Sequence, residues 1–188
     1  MDGSLASDSL SKLVILAGLN WREITILKAL TRYLHQTSFA FGKGYVQQVL
    51  VKHYSCSKLL LELFENKFNP ANEDIIKVQN IQHQIKKYLD LVSNNSEDLV
   101  LRSLHDLFEA IVRTNAFQLN ASGKFKEYLS FKLNPHKILH LVAPIPYAEV
   151  FVYSNHFEAV HLRGGKIARG GIRWSDRGED YRTEALGL

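Results

Sequence analysis

The sequence predicts an α+β fold in which a helical region precedes a small, mostly antiparallel β-sheet. Apolar residues recur at helical spacing through residues 1–134, whereas later runs are short, alternating and rich in β-branched and aromatic residues. Three of the four prolines lie between Pro135 and Pro146, where the pattern changes. We therefore expect a helical region at 1–134 and a sheet-forming region at 135–188.

The first strong helix signal begins at Asn20. Asn20 and Glu23 have the spacing of a capping box, in which each side chain accepts a hydrogen bond from the other residue's backbone N–H. The pattern ends at 36–44, where two glycines flank Lys43. Between these points, the apolar residues on one predicted face are Trp21, Ile24, Leu27, Leu30 and Leu34.

Four more helices are expected before residue 134. Two cover about 45–53 and 57–68, and Asn69-Pro70 ends the second. Acids at 72–74 and 96–98 favour the starts of the other two, because carboxylates are stabilised at the positive end of a helix. The apolar positions of these two helices are Ile75, Val78, Ile81, Ile85, Tyr88, Leu89 and Val92, and then Leu101, Leu104, Leu107, Phe108 and Ile111.

Three strands are expected after Pro146. The runs 149–153 and 157–163 are separated by Ser154-Asn155-His156, which suits a hairpin turn, and a third candidate covers 166–174. Asp176 and Glu179 then have the spacing of a helix start, with Tyr181, Ala185 and Leu188 on one face. Because no Gly, Asn or Pro stop signal follows, we expect the fold to be incomplete at its C-terminus.

Composition argues against several classes of protein. With 46% hydrophobic residues the chain can bury a core, and its apolar run at 13–17 is far shorter than the roughly 20 residues of a membrane span. A single cysteine and an acidic N-terminus fit a cytoplasmic protein. The net charge of +4 is spread thinly, which is weak support for binding to nucleic acid.

The candidate binding segment is rich in glycine and arginine. It contains Gly164-Gly165 and Gly170-Gly171, interleaved with the cations Arg163, Lys166, Arg169 and Arg173. Glycine lets a backbone approach a ligand closely, and the arginine fork matches a carboxylate or phosphate. An anion site and a tight β connection with solvated arginines both fit this composition. Two RGG units also allow RNA binding, although four acids that follow would repel phosphates: Asp176, Glu179, Asp180 and Glu184.

Three further features are weaker candidates. His136 and His140 have the spacing of a metal pair, but Lys137 replaces the expected glutamate, and we predict no metal site. Cys56 at a predicted helix start could have a lowered pKa or could simply be packed. The apolar faces of the helices at 75–92 and 99–111 could form core or, in a non-catalytic module, an interface with a partner.

The last 25 residues carry a family resemblance. The run 164–188, GGKIARGGIRWSDRGEDYRTEALGL, resembles the large bacterial NAD-specific glutamate dehydrogenases at the start of their catalytic region. Segments at 19–23, 32–34, 113–115, 149–154 and 160–163 resemble the same family. The resemblance implies an internal piece of a homo-oligomeric oxidoreductase, comprising the end of a helical region and the first part of the substrate domain.

The resemblance also implies roles for particular residues. These enzymes oxidise L-glutamate to 2-oxoglutarate and ammonia, and the lysine of their KGGIR-like segment helps to hold a substrate carboxylate. Arg169 stands at that position, so the substrate contacts are assigned to Arg169, Gly170 and Gly171, with Arg173 and Ser175 as weaker candidates. The catalytic lysine and the NAD-binding domain would lie beyond Leu188. The resemblance therefore places no catalytic residue and no cofactor contact in this chain, and we expect the chain alone to be inactive.

Overall fold

The computed structural model describes residues 9–72 and 74–166, together with the backbone of a strand at 172–175. The described residues form six α-helices followed by one five-stranded antiparallel sheet. The predicted α+β class is therefore confirmed.

The helices follow one another through the first 110 residues. A 3-10 turn at Ser9–Lys12 leads into α1, which is not among the predicted helices, whereas the five later helices are each predicted. The helix bounds are α1 Leu13–Ala17, α2 Trp21–His35, α3 Lys43–Lys52, α4 Tyr54–Phe68, α5 Ile75–Leu89 and α6 Asn95–Ala110.

Helix α2 begins with the predicted capping box. Asn20 Oδ1 accepts hydrogen bonds from the backbone N–H groups of Arg22 at 2.9 Å and Glu23 at 3.0 Å. The Glu23 carboxylate in turn accepts the Asn20 N–H at 2.7 Å. These bonds satisfy N–H groups that lack partners within the helix, and so fix where α2 starts.

One hydrophobic core joins the helices to the sheet. The ring of Phe64 on α4 lies 6.1 Å from that of Phe108 on α6 and 6.2 Å from that of Phe131 in the sheet. Leu30 and Leu34 of α2 are also fully buried. Helices and strands therefore share one core, and the orientation of α2 is set by its packing in that core.

The sheet has the order β1-β2-β3-β4-β5, and each strand is antiparallel to its neighbours. Ser154 forms the predicted hairpin turn, because its Oγ accepts the backbone N–H groups of His156 and Phe157 at 3.1 and 3.0 Å. The strand bounds are β1 Ile111–Thr114, β2 Leu129–Leu133, β3 Ala148–Tyr153, β4 Glu158–Arg163 and β5 Ile172–Ser175.

The prediction that the chain is helical as far as residue 134 is wrong after Ala110. Ile111 leaves the helical conformation with φ −65° and ψ 123°, and Ile111–Thr114 forms an edge strand that contains three β-branched residues. Leu129–Leu133 forms the next strand, and its strict apolar–polar alternation is a strand signal. The domain boundary at residue 134 stays a prediction.

Two apolar residues assigned to buried helix faces are exposed. Trp21 retains 66% of its accessible surface and Ile75 retains 72%. Each is the first residue of its helix. Helical side chains lean toward the N-terminus, so these two extend past the helix end rather than onto the core.

The predicted helix start at Asp176 and Glu179 lies outside the described residues. In the part of the chain that the structure describes, no helix is both long enough and apolar enough to cross a membrane.

Candidate functional site

Two of the five predicted substrate-binding residues lie on strand β5, at the end of the described strand order. Arg173 and Ser175 belong to β5, where the register places Arg173 opposite Val160 and Ser175 opposite Glu158. Arg169, Gly170 and Gly171 lie outside the described residues. The described surroundings of β5 are therefore strand β4 and the helix that contacts β4, α2.

A buried carboxylate lies directly beside the Ser175 position. Glu158 retains only 4% of its surface, and its carboxylate forms an ion pair with Arg32 Nε. Gln36, the residue that directly follows α2, donates from Nε2 to the other carboxylate oxygen at 3.3 Å. A carboxylate is removed from water at great cost unless it is paired and hydrogen-bonded, and here the C-terminal end of α2 supplies both partners.

A second buried carboxylate lies on the neighbouring strand. Glu149 is fully buried on β3, and the Tyr33 hydroxyl donates to it at 2.6 Å. The Tyr33 ring also packs edge-on against Phe151, with 5.4 Å between ring centroids. Helix α2 thus contacts one acidic side chain on each of two adjacent strands.

Lys43, the first residue of α3, adds positive charge near this cluster. Burial and the neighbouring Arg32 cation lower the pKa of Lys43, and the Glu158 carboxylate partly opposes this by raising it. Lys43 is thus close enough to Arg32 and Glu158 for both charges to act on it.

The first glycine pair does not show the constraint expected of a binding loop. A Cβ built on Gly164 or Gly165 would meet no atom within 4 Å, and neither residue has a positive φ. Arg163 Nη2 donates to the Lys166 backbone oxygen at 2.7 Å. For these residues, the contacts fit the tight β connection that the sequence analysis left open.

Two of the weaker candidates, Cys56 and His140, have surroundings that fit a structural role. Burial raises the pKa of the Cys56 thiol to about 12, which fits the packed alternative and not a reactive thiolate. His140 Nε2 lies 2.9 Å from Thr37 Oγ1. Within the described ranges, no three His, Cys, Asp or Glu side chains come together in a way that could hold a metal ion.

The described residues do not fit a dinucleotide site. A dinucleotide-binding fold places the cofactor where parallel strands end at helix N-termini, at a glycine-rich turn. All four strand pairings in the described sheet are antiparallel. No step involving NAD can be assigned to these residues.

Comparison with known proteins identifies the family. A family model described as the bacterial NAD-glutamate dehydrogenase catalytic domain matches residues 84–188, more than half of the chain. A second model, glutamate dehydrogenase helical motif 3, matches residues 5–70. The chain belongs to the bacterial NAD-glutamate dehydrogenase family. The predicted family resemblance is therefore confirmed.

Similar proteins named NAD-specific glutamate dehydrogenase occur in several bacteria. The Pseudomonas aeruginosa protein is 44% identical over 100% of this chain, and the Halomonas elongata protein is 42% identical over 99%. The Mycobacterium tuberculosis protein is 37% identical over 99% of the chain. The chain spans 12% of the length of each of these relatives.

The family matches show which two parts of the chain the α2 contacts connect. Helix α2 lies inside the helical-motif match, whereas β4 and β5 lie inside the match to the family's catalytic domain. The contacts of Arg32 and Tyr33 with the two buried glutamates therefore join the two matched parts.

The cluster of Glu149 and Glu158 with α2 was not predicted from the sequence as part of a site. A usable signal was present, since Glu149 and Glu158 occupy positions whose strand neighbours at i+2, Phe151 and Val160, are buried. An acid at an inward position of a strand must find a partner. That partner lies more than 100 residues away in sequence, so the pattern alone could not name it.

Proposed function

We propose that this chain is part of a longer NAD-dependent glutamate dehydrogenase, which oxidises L-glutamate to 2-oxoglutarate and ammonia. The observation that carries the proposal is the match of residues 84–188 to the family's catalytic domain. The three bacterial relatives, all named NAD-specific glutamate dehydrogenase, support it with 37–44% identity across 99% or more of the chain.

In this proposal the β5 edge of the sheet contributes to substrate binding. Glutamate carries two carboxylates, and arginine can hold a carboxylate through two parallel hydrogen bonds. Arg169 is assigned to one substrate carboxylate, the backbone at Gly170 and Gly171 allows close approach, and Arg173 and Ser175 are secondary contacts. The pairing of β5 with β4 supports this assignment, because it gives the strand a fixed register beside the ion pair of Arg32 with buried Glu158.

The rest of the catalytic machinery is assigned to the remainder of the longer protein. The base that abstracts a proton, which in this family is expected to be a lysine, and the domain that binds NAD are both placed beyond Leu188. The 188-residue chain alone is then inactive. The longer protein is expected to be a cytoplasmic homo-oligomer that binds neither nucleic acid nor a membrane.

The test is an assay of the full-length protein with L-glutamate and NAD. Arg169→Met should raise KM for glutamate at least tenfold, since a charge-assisted bidentate contact is lost, while KM for NAD changes little. Arg163→Met is the matched control, because Arg163 donates to the Lys166 backbone oxygen within its own turn. No glutamate oxidation by the full-length protein, or activity in the isolated 188-residue chain, would contradict the proposal.

A further inference from the structure

We propose that Glu158 is a positioning residue for strand β5, and that Arg32 and Gln36 hold it in place from helix α2. This inference rests on the proposed function, because β5 matters for activity only if it contributes to substrate binding. It adds a role for the helical part of the chain, which would set the position of the substrate strand.

Strand β5 is positioned in the sheet through its pairing with β4. Strand β5 lies at the end of the described strand order, and its described strand neighbour is β4. Glu158 is paired with Ser175 at the C-terminal end of β5. A shift of the β4 backbone at Glu158 would therefore be transmitted to β5 at a predicted substrate residue.

The Glu158 carboxylate has little freedom to move. It is nearly fully buried and bound by Arg32 on one oxygen and Gln36 on the other. The helix that carries these partners is fixed in turn, because Tyr33 and Leu34 beside them are 0% and 1% exposed in the core. Because a buried charge must keep a partner, these two contacts hold the β4 backbone at Glu158 against α2.

Another glutamate in the chain, Glu109, has a similar set of partners and serves as a control for Glu158. Glu109 of α6 also accepts from one cation and one amide, Lys67 Nζ at 3.2 Å and Gln82 Nε2 at 2.7 Å. Glu109 lies just before β1, at the edge of the sheet opposite to β5. The same chemical change at Glu109 removes a similar set of contacts without affecting the strand next to β5.

The experiment compares Glu158→Gln with Glu109→Gln in the full-length protein. E158Q should raise KM for glutamate at least fivefold and leave KM for NAD within twofold, because the substrate strand is displaced and the rest of the enzyme is not. E109Q should change neither value by more than twofold. Thermal unfolding shows whether each variant is folded, and Arg32→Lys, which keeps the charge, should recover part of the affinity lost in Arg32→Met.

A second measurement reports on β5 without activity. Hydrogen–deuterium exchange in the full-length protein should be at least tenfold faster at the amides of residues 172–175 in E158Q, and unchanged there in E109Q. A folded E158Q variant with normal exchange at 172–175 would overturn the inference, as would an equal effect of E109Q. If the unmodified full-length protein did not oxidise glutamate, the proposed function would fail, and the exchange rates would still decide the positioning role.

Discussion

The two ends of helix α2 bind the rest of the protein through different kinds of acceptor. At the N-terminal end, Arg22 donates to the backbone oxygens of Ala116 and Lys126 at 3.0 and 3.1 Å, in the segment that joins β1 to β2. At the C-terminal end, Arg32 forms an ion pair with Glu158. One arginine is held by neutral carbonyl groups and the other by a charged partner.

The two arginines also differ in burial, because Arg22 is buried whereas the Arg32 side chain is 28% exposed. Arg22 is 9% exposed, its Nε has no hydrogen-bond partner, and no carboxylate in the described residues pairs with it. Burial lowers the pKa of Arg22, although a guanidinium stays charged in proteins. The Phe125 ring, 5.1 Å from the guanidinium carbon, adds a cation–π contact. The N-terminal end is thus a structural anchor, whereas the C-terminal end depends on a specific charge at the site.

Arg32→Met should have the largest effect and separates the two ends most clearly. Removing Arg32 leaves the buried Glu158 carboxylate without its cation, which costs about 3 kcal/mol of unfolding free energy. Urea unfolding of the 188-residue chain at pH 7 measures it. Arg102→Met is the control, because Arg102 pairs with Asp98 at the surface, where a pair contributes less than about 1 kcal/mol. Equal losses in the two variants would contradict the distinction.

Arg22→Met should lower the unfolding free energy by less, about 2 kcal/mol, because one buried and one part-buried carbonyl oxygen lose their donors but no charge is left unpaired. The two ends should also differ in their coupling to Glu158. Among the described residues, Arg22 and Glu158 share no partner. We therefore expect the losses of unfolding free energy caused by Arg22→Met and Glu158→Gln to be additive within about 0.5 kcal/mol in the double variant. Arg32→Met, in contrast, should lower the unfolding free energy clearly less in the Glu158→Gln variant than in the unmodified chain. Additivity in both double variants would remove the difference between the ends.

Tyr33→Phe should cost about 1 kcal/mol, because the buried Glu149 carboxylate loses one hydrogen bond while the ring stays against Phe151. Tyr45→Phe is a suitable control, since the Tyr45 ring packs on Phe41 and the change again removes only a hydroxyl. Urea unfolding of both variants should show that the Tyr33 hydrogen bond contributes less to the unfolding free energy than the Arg32 ion pair does. A Tyr33→Phe loss above about 3 kcal/mol would reverse that order.

The difference between local patterns and contacts between distant residues explains how much of the structure could be predicted from the sequence. The start of α2 was predictable because a capping box is a local pattern, and so was the hairpin at Ser154. Strand β1 was not predicted, because Ile111 continues the apolar spacing of α6 and leaves the helix only through pairing with distant Leu133. The family resemblance indicated β5 as a substrate strand, but the partner of Glu158 depends on a contact between residues 126 positions apart.

Glu97→Gln should have the smallest effect and tests whether any lost carboxylate would disturb β5. Hydrogen bonds from Lys52 and His53 lower the pKa of Glu97, which lies on α6. A lowered pKa in the folded state means that the stabilisation is present above the unfolded pKa of about 4.3 and is lost as pH falls through the folded value. Glu97→Gln should therefore cost less than about 1 kcal/mol at pH 7 and progressively less below pH 4. Urea unfolding at pH 7 and pH 3 checks the sign, and exchange at the amides of 172–175 should stay at the wild-type rate, because this carboxylate contacts α3 and not β4.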